Sequence, residues 1–310
     1  MTDRYRLVTR SDFDGIVSAA LFKTRDMIDD ILFAHPKDVQ DGKVATTERD
    51  ITTNLPYSPR AHLVFDHHAS EFARLGGKMP ANLVLDADAP SATRVVYRHF
   101  GSKRGFPTIP EALIAAVDKL DAAQLTKEEI LDPQNWILLG LLMDSRTGLG
   151  RFHDFAKSNY ELMMALVDSC AALPVDDILK LPDVAERVQV YKEHMEPFRA
   201  QLTRCSRVHK NLVEVDVRSE DTIYAGNRFV LYALYPTCNI SMHVMWGRQK
   251  QNVVFAIGKS ILTRTSKTMV GDLCLKYGGG GHDAAGTCQV DTERADAVRA
   301  ELIRQITTDG

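Results

Sequence analysis

Short apolar runs that stop abruptly on acids constrain this chain more than any other feature. Leu63-Val64-Phe65 gives way at once to Asp66-His67-His68, and Leu83-Val84-Leu85 to Asp86. A run this short and this uniformly apolar suits a strand buried on both faces, as in a parallel sheet covered by helices. Tyr5 to Thr9 reads as a first strand of the same kind. It is followed by the turn Ser11-Asp12-Phe13-Asp14-Gly15 and a helix from Ile16 to Phe22. Ile31 to Ala34 and Lys43 to Thr47 read as further strands. Alternating strands and helices predict βαβ units, and in open sheets of that type ligands bind at the carboxyl ends of the strands. The acids stand at that edge.

Farther along, Ala112 to Leu120, Trp136 to Met143 and Phe155 to Val167 have the length and pattern of helices. After Pro182, the residues Val184, Val188, Tyr191, Met195, Phe198 and Leu202 recur at helical spacing. Strand-like segments then dominate, at Asn211 to Val217, Phe229 to Leu234 and Val253 to Ile257. With 310 residues the chain can bury two cores. The expected fold is α/β. Residues 1–185 would form a mostly parallel sheet flanked by helices, residues 186–207 a connecting helix, and residues 208–310 a smaller mixed α/β domain, with the active site between the two domains.

Composition excludes several functions. The formal net charge of -3 supplies no general basic field for long duplex nucleic acid, so any nucleotide contact must be local. No apolar run approaches the roughly 20 residues of a spanning helix, and the amino-terminal residues lack a signal-peptide core; no membrane partner and a cytoplasmic location are expected. The five cysteines, Cys170, Cys205, Cys238, Cys274 and Cys288, show no CxxC spacing, which argues against a zinc ribbon or a disulfide framework.

The chemistry-bearing residues fall into separate groups. Asp12 and Asp14 flank one residue of a tight turn, where two close carboxylates repel unless a cation lies between them. They would equally suit an ordinary helix cap. Asp66-His67-His68 is sharper, because carboxylate and imidazole at a strand end are natural ligands for manganese, magnesium or zinc. One ring can bind metal while the other donates to a phosphate, and Asp66 can fix a ring tautomer. Asp50 and Asp144 add carboxylates at the ends of apolar segments; taken alone, both read as surface acids.

The run Gly278-Gly279-Gly280-Gly281-His282 removes side-chain obstruction, so backbone N–H groups can approach an anion. The small residues Ala284-Ala285-Gly286 that follow would start a helix whose positive end faces that anion. Arg264 and Ser266, upstream, offer a cation and a hydroxyl to the far end of a phosphorylated ligand.

Taken in order, Asp12-Phe13-Asp14-Gly15, Asp50, Asp66-His67-His68, Asp144 and Gly278 to His282 resemble the DHH phosphoesterases with a DHH-associated carboxyl-terminal domain, over nearly the whole chain. The likeness is greatest to the exopolyphosphatase-related and oligoribonuclease-like members. It implies a manganese- or magnesium-dependent hydrolase acting through metal-activated water on a short nucleotide: an oligoribonucleotide, a cyclic dinucleotide or adenosine bisphosphate. Alternatives are an exopolyphosphatase and a catalytically weak nucleotide-binding regulator. Mapped by motif, Asp50 would bridge two metals, Asp12 would serve one, and Asp14, His67 and Asp144 the other; His68, oriented by Asp66, would face the phosphate with His282. The chain departs from the family pattern at Arg10, where a histidine is usual. Arginine cannot ligate a metal. One firmly bound metal is therefore expected rather than two, with Arg10 as a phosphate clamp. Self-association through the helical segment after Asp144 would give a homodimer.

Overall fold

The computed structural model describes residues 4–152 and 154–310. Contacts divide the chain into two compact units, residues 1–125 with 133–190, and residues 126–132 with 191–310. The division falls inside a long helix, Pro182–Cys205, and assigns the short segment 126–132 to the second unit. There Arg199 Nη2 donates to Leu131 O at 2.7 Å and Asn227 Nδ2 to Ile130 O at 3.3 Å.

The first unit is built on five parallel strands: β1 (Tyr5–Arg10), β2 (Ile28–Ala34), β3 (Asp50–Thr53), β4 (Leu63–Asp66) and β5 (Leu83–Leu85). Their spatial order is β2-β1-β3-β4-β5. Leu7, Val8, Ile51, Val64 and Phe65 have no solvent exposure, each contributing roughly 1.5–3 kcal/mol by burial. The helix Phe13–Thr24 is buried along most of its length and packs on helices Ala92–His99, Glu111–Asp121 and Asn159–Ala172. Gly140 lets the helix Asn135–Met143 close on that assembly, since a Cβ there would come within 2.9 Å of the Phe13 ring.

In the second unit a six-stranded mixed sheet has the order β10-β11-β9-β8-β7-β6. Its strands are β6 (Ser206–His209), β7 (Leu212–Asp216), β8 (Ile240–Trp246), β9 (Asn252–Lys259), β10 (Gly280–His282) and β11 (Ala285–Asp291). Helices Val270–Leu275 and Ala295–Asp309 share one core with this sheet, including Ile240, Met242, Phe255, Leu273 and Leu302.

Three sequence expectations are corrected. Lys43 to Thr47 is not a strand; β3 begins only at Asp50. Phe229 to Leu234 contains a short helix, Val230–Leu234, entered where Asn227 Oδ1 accepts from Phe229 N at 3.0 Å. A short apolar run does not distinguish a buried helix from a strand. The glycine tract leads into the β10–β11 hairpin rather than into a helix.

Candidate metal centre

Strand order creates the site. From β1 the chain passes to β2 on one side and reaches β3 on the other, so the loops leaving β1 and β3 diverge and open a crevice at the carboxyl edge. Asp12 and Asp14 follow β1, Asn54 follows β3, and Asp66 ends β4 with His67 and His68 just beyond. Gly15 is required in the first of these loops, because a Cβ there would collide with the Arg10 carbonyl.

Asp12 caps the helix Phe13–Thr24, accepting from Gly15 N at 3.0 Å, and pairs with Arg10 Nε at 2.9 Å. Asp14 is buried within the first turn. Its carboxylate accepts from Asn54 Nδ2 at 2.9 Å, Ala92 N at 3.0 Å and Thr93 N at 2.7 Å. Ala92 and Thr93 open the helix Ala92–His99, so two helix N-termini converge on this one acid, a favourable field for negative charge. Burial nevertheless outweighs that field, and with the charges of Asp121 and Asp12 it raises Asp14 to about 7. Burial likewise raises Asp12 to about 6, against the opposing charge of Arg10.

Asp14, His67 and Asp121 present ligand atoms that all lie within 4.8 Å of one another. His67 Nδ1 is 3.2 Å from the Ala89 carbonyl, which can only accept, so Nδ1 keeps a proton and Nε2, facing the acids, is the nitrogen a metal could take once its own proton has left. Nε2 is buried 3.0 Å from Asp121 Oδ2, an ion-pair contact without good hydrogen-bond alignment among the described residues. Burial favours the neutral ring, but the charges of Asp121 and Asp14 override it and raise His67 to about 9. A divalent cation fits this arrangement. The acids draw a proton onto the ring, a cation could replace that proton, and one nitrogen with two carboxylates suits manganese, magnesium or zinc.

Asp121 was not apparent from sequence. It occupies the last turn of Glu111–Asp121 and is held in place from one turn earlier, where Asp118 accepts from Ser91 Oγ at 2.8 Å and Arg94 Nε at 2.9 Å. No local signal separates it from an ordinary helix-end acid. Asn54 ends its strand as Asp66 does, but a search for acids passes over an amide.

Asp50 is the clearest correction. It begins β3 opposite Arg6 of β1, which places it on the amino edge of the sheet, away from the crevice. There it accepts from Arg6 Nε at 2.7 Å, Arg6 Nη2 at 3.0 Å and Thr47 N at 2.6 Å. Burial opposes ionisation, but Arg6 and Thr47 outweigh it and hold Asp50 below the usual carboxylate range. No candidate ligand group among the described residues includes it. Asp144 likewise belongs to no candidate ligand group among the described residues: it ends the helix Asn135–Met143 and accepts from Arg146 N at 2.8 Å and Arg146 Nε at 2.7 Å. His68 Nδ1 is bound to the buried Asp66 at 2.8 Å, which fixes that ring and leaves its Nε2 for other partners.

In the second unit the glycines serve close packing as well as access. Gly278 has φ +75°, and a Cβ on Gly279 would come within 2.7 Å of Cys288 Cβ, whereas one on Gly280 would meet nothing. Gly280 and His282 are exposed, and His282 Nδ1 accepts from Ala284 N at 3.3 Å. Arg264 Nε donates to Ile261 O at 3.1 Å, and Ser266 Oγ is buried without a hydrogen-bond partner among the described residues.

The pGpG-specific phosphodiesterase PggH from Vibrio cholerae is 57% identical over 99% of this chain and 100% of its own, with a TM-score of 0.88. The chain is a DHH-family phosphoesterase. More distant likenesses support the fold of the phosphoesterase alone. RecJ from Thermus thermophilus, in complex with Mn2+, is 13% identical over 98% of this chain and 52% of its own, with a TM-score of 0.50. CDC45 from Entamoeba histolytica is 9% identical over 98% and 95%, with a TM-score of 0.52. No family model matches the chain, and no curated protein gives a significant sequence match. Among the described residues, no helix of the phosphoesterase is long and apolar enough to cross a membrane.

Proposed function

We propose that this phosphoesterase hydrolyses the phosphodiester of a short linear dinucleotide, with pGpG the first substrate to test, using one firmly held manganese or magnesium ion. The observation that carries the metal-dependent reading is the convergence of Asp14, His67 and Asp121 on one point, where carboxylates lack compensating charge. The substrate class is supported by the full-length likeness to a protein specific for pGpG.

Asp14, Asp121 and the Nε2 lone pair of His67 would hold the ion, with Asp12 contributing field. When bound, the ion would lower the pKa of the attacking water and neutralise phosphoryl oxygens. His67 is kept in the correct tautomer by Ala89 O. His68, oriented by Asp66, is aimed to donate a proton from Nε2 to a phosphoryl or leaving oxygen. Arg10, held at its Nε side by Asp12, offers its remaining N–H groups to a phosphate. In the second unit, Gly278 to Gly281, His282, Arg264 and Ser266 would offer donors to a phosphate.

The test is turnover by the purified protein with manganese, comparing pGpG with longer oligoribonucleotides, cyclic dinucleotides, adenosine bisphosphate and polyphosphate. Preferred cleavage of pGpG to mononucleotides is expected. Faster release of phosphate from polyphosphate would favour the exopolyphosphatase reading, and binding of pGpG without turnover would favour the regulator suggested by Arg10.

A further inference from the structure

The loop that leaves the helix Asn135–Met143 carries a second guanidinium with no assigned role. Arg146 is fixed by Asp144 on one side only: its backbone N and its Nε donate to that carboxylate, and neither Nη makes a hydrogen bond among the described residues. Its side chain is 55% exposed. The guanidinium also lies within electrostatic reach of Asp12 and Asp121, which places it beside the metal centre rather than on a remote surface. Arg10 is arranged in the same way. Its Nε lies 2.9 Å from Asp12, and its Nη atoms make no hydrogen bond among the described residues. Two arginines thus approach one crevice, each held at its Nε edge by an acid and each with a free pair of N–H donors.

The local charge gives this arrangement meaning. Asp12, Asp14, Asp66, Asp121 and Asp144 bring five carboxyl groups to this neighbourhood, against which Arg10 and Arg146 set two permanent positive charges. A single divalent ion would offset two more. Asn54, which donates to Asp14, adds no further acid that would call for a second ion. A phosphodiester entering this crevice brings a further negative charge, and free guanidinium N–H pairs match the geometry of phosphoryl oxygens.

We propose that Arg146 is a substrate-contacting residue that, together with Arg10, grips the phosphoryl oxygens of the nucleotide, the two guanidiniums doing the neutralising work of a second metal ion. The proposal rests on the phosphodiesterase reading above for the identity of the substrate, but not for the phosphate contact itself.

The experiment uses the full chain loaded with manganese, comparing wild type with Arg146→Gln and Arg146→Lys. Calorimetry with inorganic phosphate reads the contact directly, elemental analysis reads the ion, and kinetics on pGpG reads the consequence. Arg146→Gln is expected to weaken phosphate binding and raise KM by about 10- to 100-fold, the usual consequence of losing charge-assisted hydrogen bonds. Manganese content should be unchanged, and Arg146→Lys should recover part of the affinity as a point charge without the fork. Unchanged phosphate affinity in a folded Arg146→Gln variant overturns the proposal, as does loss of manganese in that variant, which would mark Arg146 as a support for the metal site. Wild type that binds phosphate through Arg146 yet leaves pGpG intact would refute the substrate assignment and leave the arginine contact standing.

Discussion

The two edges of the first sheet treat the same side chain in opposite ways. On the amino edge, Asp50 is buried beside Arg6 and falls below its usual pKa; on the carboxyl edge, Asp14 is buried among other acids and rises to about 7. Solvent is excluded from both, Asp14 is packed more deeply, and loss of hydration opposes both charges. What differs is the compensating cation, which the fold supplies at one edge and leaves to be supplied at the other. A buried acid with its own arginine holds strands together, and a buried acid without one marks a cation site.

The sharpest way to break this comparison is to remove one ligand on the carboxyl edge. His67→Ala or Asp121→Asn is expected to weaken manganese binding by roughly a hundred-fold or more and to abolish turnover, while the protein remains folded, as read by calorimetry and circular dichroism. Retained manganese affinity in both variants would remove the distinction between the edges.

Next in size is the reciprocal substitution. Asp50→Asn should cost about 2–3 kcal/mol of stability in denaturant titration, since Arg6 and the Thr47 amide lose a buried ionic partner. Manganese affinity should not change. The opposite pattern, intact stability with lost metal, would restore Asp50 to the centre.

A smaller effect sharpens the comparison through pH. The folded pKa values of Asp12 and Asp14 are raised above the ordinary aspartate value of 3.8, so these groups contribute stability to the metal-free protein that is fully present below about pH 4 and is lost as pH rises through 6 to 7. His67, raised to about 9, contributes stability present below its unfolded value near 6.5 and lost as pH climbs through 9. Metal binding must displace these protons. Manganese affinity should therefore rise between pH 6 and 9, and calorimetry in buffers of different ionisation enthalpy should detect on the order of one proton released per ion at pH 7.5. Binding without proton release would count against His67 and Asp14 as ligands.

How far the sequence reached follows the same division. Strand-end acids are local signals, and Asp12, Asp14 and Asp66-His67-His68 stand where the short apolar runs predicted. The parallel sheet, the long helix and the mixed second unit were legible for the same reason, that periodicity and strand ends are written within a few residues. Asp50 and Asp121 were not, because their environments are set by partners far along the chain. Asp50 was assigned by motif order, while its register opposite Arg6 spans 44 residues. Asp121 closes a helix as many surface acids do, and only packing turns it toward His67. The glycine tract was read as the start of a helix because small residues follow it, whereas pairing of Gly280 to His282 with Ala285 to Thr287 depends on a sheet already formed by distant strands.

The central claim is that one divalent cation sits among Asp14, Asp121 and His67 Nε2. Crystals of the native protein soaked in manganese, with data collected for anomalous scattering, test it most directly. The account predicts one strong peak per chain, coordinated by those three side chains. A peak beside Asp50 or Asp144, or two ions sharing a bridging carboxylate, would contradict it.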